Sequence, residues 1–175
     1  MKRSLLLIVA LVLFFLGCQE NNSILEPTNQ DQLISLNKSD AGSTFASNSY
    51  MIDGIDGGII KVTHSWKNSN GKKSKLKAVL EIPKNAFAGK KVFSMVFNLD
   101  KNSVSMYPSP TTFDKPLKFS YKLKNVNVAY NDLDFKYLDG DEIVEYDENV
   151  VDSYNGNLEV KKAKLHHFSD WGWDR

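Results

Sequence analysis

Several groups of residues in this 175-residue chain could do chemistry. Cys18 is the only cysteine, a lone thiol set directly behind Gly17 and an unbroken apolar run from Leu5 to Leu16. His166-His167-Phe168-Ser169 places imidazoles beside a hydroxyl, the types from which a general base and a nucleophile are made. Asp132, Asp134, Asp139, Asp141 and Glu142 gather carboxylates that could face calcium, but the spacing is that of neither an EF-hand nor a repeat. Hairpin turns favour Asp, so a solvated acidic edge is the plainer reading. His166-His167 has no partner at zinc spacing, and adjacent strand residues point to opposite faces, so neither a metal nor a cofactor is expected. His64 is in phase with Ile60 and Trp66 and reads as a histidine at the rim of a core. Trp171 and Trp173, two apart, share one face of an extended strand. With Tyr107, Tyr121 and Tyr154 they could form a platform for sugar rings or a partner peptide; packing within a core is the alternative.

The elements that must position these groups are legible from periodicity. Ile60, Val62, His64 and Trp66 alternate with polar residues, as do Leu76, Ala78, Leu80 and Ile82. The same period returns in Phe93, Met95, Phe97 and Leu99, and in Leu117, Phe119, Tyr121 and Leu123. No stretch of comparable length has a helical period. Turn chemistry lies between: Asn68 to Gly71, Pro83-Lys84-Asn85, Pro108-Ser109-Pro110, Asp139-Gly140 and Asn155-Gly156. A two-residue turn at Asp139-Gly140 would set Phe135 opposite Val144 and Leu133 opposite Tyr146. The same turn at Asn155-Gly156 would pair Val151 with Val160 and Ser153 with Leu158. Beyond Val160 the apolar phase slips to Ala163 and Leu165, then to Phe168, which demands a bulge or bend near Lys161-Lys162 and near His166-His167. The fold class is therefore all-β, an antiparallel sandwich of eight or nine short strands over residues 44–175.

Ahead of that region, Met1-Lys2-Arg3, the apolar run and Gly17 follow the order of a secretory signal; a spanning helix would need ~20 apolar residues. With a cysteine just after the cut, Phe15-Leu16-Gly17-Cys18 resembles a bacterial lipoprotein signal, with the leucine one place closer to the cut than usual. The resemblance implies that residues 1–17 are removed and that Cys18 carries a diacylglyceryl group, with a further acyl chain on its nitrogen in many bacteria. Two or more long chains hold stably to a bilayer, so no other membrane contact is required. The implied address is a bacterial cell envelope, and Gln19 after Cys18 is similar to the pattern of lipoproteins that proceed to an outer membrane. An acylated thiol leaves none for a disulfide, so the core alone must hold the domain.

Residues 18–43 are rich in Asn, Gln, Ser and Asp and read as a flexible linker. A coil of ~25 residues spans about 25 to 30 Å. Removing residues 1–17 takes Lys2 and Arg3 from 22 basic side chains against 21 acidic ones, leaving a formal charge of −1. A near-neutral balance gives no footprint for nucleic acid or for an anionic membrane surface.

Four further pieces, in order, are Gly57-Gly58-Ile59-Ile60, Ala78 to Phe87, Thr112 to Leu117, and His167-Phe168-Ser169. Together they resemble the ZU-five-like β-sandwich shared by zonula occludens proteins, netrin receptors and ankyrins, which is similar to a domain common in bacterial lipoproteins. The resemblance implies an interaction or structural module with an unidentified protein or glycan partner, and not an enzyme. In eukaryotic relatives a His-Phe-Ser triplet cuts itself. Carried over, Ser169 would be the nucleophile, His167 the base and the Phe168 carbonyl the target. In bacterial relatives the triplet reads as ordinary last-strand sequence, with Phe in the core.

Overall fold

The computed structural model describes residues 44–175; Cys18, the signal at 1–17 and the linker at 18–43 lie outside the described residues. Eleven strands form: β1 (Thr44–Ala46), β2 (Tyr50–Asp53), β3 (Gly58–Lys67), β4 (Lys73–Ile82), β5 (Lys90–Asn98), β6 (Ser103–Tyr107), β7 (Thr111–Lys124), β8 (Asp134–Tyr137), β9 (Glu148–Asp152), β10 (Asn157–Phe168) and β11 (Asp170–Asp174). They make an all-β sandwich of two antiparallel sheets. One sheet runs β3-β4-β7-β10-β9. The other runs β5-β6-β11-β8, with β1 and β2 sharing the outer edge of β5. Between these two edge pieces the Ser47 hydroxyl accepts from the Met95 amide (3.0 Å) and so continues the ladder.

The expected alternation is what fills the interior. Leu76, Ala78, Leu80 and Ile82 of β4, Phe93, Met95 and Phe97 of β5, and Leu117, Phe119, Tyr121 and Leu123 of β7 are all buried. Aromatic contacts cross between the sheets, as in Phe97 with Tyr121 (5.5 Å) and Phe119 with Phe135 (6.1 Å). Both inner faces are covered within the compact unit Ser39–Arg175, whose buried core runs from Ile60 to Trp173. That unit therefore has what it needs to fold without the residues before it.

Three expectations were more detailed. β10 carries register shifts between Val160 and Ala163 and between Leu165 and His167, where the phase slips require them, and Lys162 takes a positive φ of 51°. The hairpin at Asn155-Gly156 forms, but Leu158 faces Val151 and Val160 faces Asn149. Its loop has four residues because the Asp152 carboxylate accepts from the Asn155 amide (3.0 Å) and closes a wider turn. The even slip preserves the inward faces. Pro116 falls inside β7, where neither neighbouring strand has a residue in register with it.

The hairpin at Asp139-Gly140 does not form. Phe135 and Val144 are both buried, but β8 pairs with β11, Trp173 opposite Phe135 and Trp171 opposite Tyr137. Two tryptophans offer β8 more apolar surface than Val144 and Tyr146 could. Residues 138–147 instead cross to the other sheet, where the Lys164 amide donates to the Glu145 carbonyl (2.8 Å). The crossing is pinned by Asn149, which donates to the Leu133 carbonyl (2.9 Å) and accepts from the Trp173 indole N–H (2.8 Å).

At one end the chain changes sheet twice, side by side. β6 passes to β7 through Pro108-Ser109-Pro110, and β10 passes to β11 through Ser169 alone. Strand pairing continues round both bends: Phe168 faces Thr111 on one side, Asp170 faces Ser105 on the other, and the Met106 amide donates to the Ser169 carbonyl between them (3.1 Å).

Candidate functional site

The His-Phe-Ser triplet occupies that corner. Phe168 turns inward, 1 % exposed, with its ring edge-on to Phe93 (4.7 Å) and Phe113 (4.9 Å). Its carbonyl accepts from the Ser109 hydroxyl (3.0 Å), which ties one bend to the other. Ser169 Oγ donates to Asp139 Oδ2 (3.1 Å), so the nearest proton acceptor found for it is a carboxylate. The His167 imidazole turns its Nε2 away from Ser169 to Glu142 (2.7 Å), its Nδ1 lies 3.5 Å from the Phe168 carbonyl oxygen, and the ring packs against Tyr137 and Trp171. An ionised carboxylate can only accept, so that contact requires a proton on Nε2. The base expected from the sequence and the hydroxyl it would serve thus have separate acidic partners.

The acidic residues disperse. Asp132 pairs with Arg175 (3.0 Å), Asp134 accepts from the Tyr146 hydroxyl (3.2 Å), and Asp139 and Glu142 serve the corner. Asp141 is exposed, and among the described residues no group of three potential metal ligands comes together.

Trp171 and Trp173 do share a face, but it is the inner one, and this corrects the platform reading. Trp171 is fully covered and Trp173 is 7 % exposed, with its ring against Tyr121 (5.1 Å) and Phe135 (5.2 Å). Tyr121 is also buried, and burial pushes its hydroxyl pKa upward. Tyr107 and Tyr154 are exposed, without either indole to extend them.

His64 sits at the core rim, stacked between Phe45 (4.0 Å) and Trp66 (5.8 Å). Partial burial holds its pKa below 6.5. The unfolded chain therefore takes up the proton first as pH falls. Stability is expected to be fully present above the unfolded value of 6.5, to decline as pH falls through it, and to level off below the folded pKa. Urea midpoints across this range should converge for the parent chain and His64→Phe at the alkaline end and separate at the acid end. Parallel curves would remove His64 as the cause.

One feature was missed by reading composition as a whole. From Lys61 to Lys124 the chain holds fourteen lysines and three acids; residues 125–175 hold five basic and twelve acidic side chains. A comparison of the two halves would have shown this. The fold gives it a geometry, because the outward positions of β3, β4 and β7 form a shallow trough lined by Lys73, Lys75, Lys77, Lys122 and Lys124. Lys75 lies directly opposite Lys124, and Lys77 opposite Lys122. The trough continues past the Ser120 hydroxyl to Lys61. Of these lysines, only Lys122 has an acidic partner among the described residues, Glu159. On β10 the contrast is sharp, since Lys161, Lys162 and Lys164 are paired with Glu148, Asp147 and Glu145.

Comparison with protein-family models, with curated proteins and with solved structures finds no match to this chain.

Proposed function

We propose that the chain is a lipid-anchored protein of a bacterial envelope, whose ZU-five-like sandwich is a non-catalytic interaction or structural module. The observation that carries the reading is the order Met1-Lys2-Arg3, Leu5 to Leu16, Gly17, Cys18. It has the parts of an acylation signal, followed by a low-hydrophobicity segment long enough to act as a leash. The inward use of Phe168, Trp171 and Trp173 supports a scaffold role for the last two strands. Growth on labelled palmitate tests the reading. Label is expected in the protein and absent from Cys18→Ser; an unlabelled parent chain removes the proposal.

A second reading is self-cleavage at Phe168-Ser169, favoured by one contact: the Ser109 hydroxyl lies on the Phe168 carbonyl oxygen (3.0 Å), where charge would develop during attack. Ser169 Oγ would add to the Phe168 carbonyl carbon as its proton passes to Asp139. The Ser169 nitrogen would then leave, protonated, to give an ester that water hydrolyses. Intact mass decides between the two readings. The scaffold reading expects a chain that still ends at Arg175, whereas a product ending at Phe168, produced by the parent chain and not by Ser169→Ala, establishes cleavage.

A further inference from the structure

We infer that the lysine trough on the outer face of β3, β4 and β7 is a docking surface for the phosphate headgroups of an anionic bilayer. The first ground is the arrangement of charge. Like charges directly opposite across a ladder weaken a sheet, and here three lysine pairs meet in that way, Lys75 with Lys124, Lys77 with Lys122 and Lys67 with Lys73. Neighbouring strands are ~4.8 Å apart and alternate residues about 7 Å apart, so the side chains form a close cationic lattice. Among the described residues nothing neutralises it apart from Glu159. An external anion with many charges relieves the repulsion; a single small anion meets only part of it.

The second ground is what the trough lacks. Its cations are all lysines, compact point charges without the fork that Arg offers a single phosphate. Among the described residues no aromatic ring is presented to it: Tyr121 borders it only with its backbone, and the rings of Tyr121 and Trp66 belong to the inward faces of their strands. Single-stranded nucleic acid and sugar rings are held by stacking on aromatic faces, whereas a headgroup layer requires only charge and an open surface. The hydroxyls of Thr63, Ser65 and Ser120 line the same concavity and add neutral donors for phosphate oxygens. A second copy of the chain is the weaker occupant, because Glu145, Asp147 and Glu148 are already paired within the molecule.

The source of the membrane follows from the lipid-anchored reading, but the test does not depend on it. A chain begun at Ser39 keeps the whole compact unit and has no Cys18. It is expected to sediment with vesicles of mixed phosphatidylglycerol and phosphatidylcholine, and not with phosphatidylcholine alone. Added salt should release it. Each lysine removed should weaken partitioning about fivefold, so the triple variant Lys75→Gln, Lys77→Gln, Lys124→Gln should lose about a hundredfold. Its thermal midpoint should be no lower than that of the parent, since like-charge pairs have been relieved. Lys84→Gln, Lys90→Gln, Lys101→Gln, placed away from the trough, should bind as the parent does. Equal binding to both vesicle types, or a triple variant that binds unchanged, overturns the inference. So does binding to DNA or to an acidic polysaccharide without binding to vesicles, or salt-sensitive self-association in their place. Failure of palmitate labelling, by contrast, leaves the vesicle result intact.

Discussion

Phe168→Ala is expected to cost the sandwich about 4 kcal/mol, at the upper end for a single core truncation. The ring is 1 % exposed and contacts Phe93 and Phe113 edge-on, at the end of the core where two strands bend from one sheet into the other. Neighbours held by continuous strand pairing can collapse little into the space left behind, so the cavity term adds to the lost transfer energy. Against a typical stability of roughly 5–15 kcal/mol, much of the folded population is at stake. Urea titration should move the midpoint with little change in slope. Ser169→Ala, which removes one partly exposed hydrogen bond to Asp139, should cost about 1 kcal/mol or less. If the two variants proved equally mild, the corner would be looser than its contacts indicate. The comparison also separates two roles within one triplet, since truncating its middle residue tests the core and truncating its last residue tests the chemistry.

Cys18→Ser is expected to move the protein from the membrane fraction to the soluble fraction at ordinary ionic strength. One acyl chain gives only marginal, reversible attachment, but two give a stable one, at ~0.8 kcal/mol per buried methylene. On the lipid-anchored proposal the substitution removes both at once, so the change should be close to all-or-none. The lysine trough modifies the outcome in a salt-dependent way. Dilute buffer should retain part of the variant on anionic membranes, and moderate salt should release it. Fractionation of the parent and variant at two salt concentrations reads both contributions. A variant that stays with the membrane at high salt would mean that something other than acylation holds it, such as an apolar run that was never cut.

Strand after strand was legible because a sandwich imposes a period of two. The slips after Val160 and Leu165 were legible because a bulge is the way a strand changes phase while keeping its apolar residues inward. Where sequence reasoning went astray, the deciding partner was distant. Asp139-Gly140 offers a self-consistent local hairpin, and only the arrival of Trp171 and Trp173 beside β8 overrides it. Those tryptophans show the same limit, because spacing places two side chains on one face without saying whether it looks in or out. The corner groups were half legible. Phe168 was expected inward, but Asp139, Glu142 and Ser109 reach Ser169, His167 and the Phe168 carbonyl from 25 to 59 residues away. The lysine trough was hidden for another reason, since a net charge sums over all directions while a sheet separates its two sides.

β11 follows the other described strands in sequence and lies between β6 and β8, and among the described residues β8 has no other strand neighbour. A chain made or exported from its N-terminus thus carries Asp134–Tyr137 as an open hydrogen-bonding edge until Asp170–Asp174 have emerged. β8 therefore pairs only after β11 has been made, and until then its unpaired backbone groups are open to a neighbouring chain.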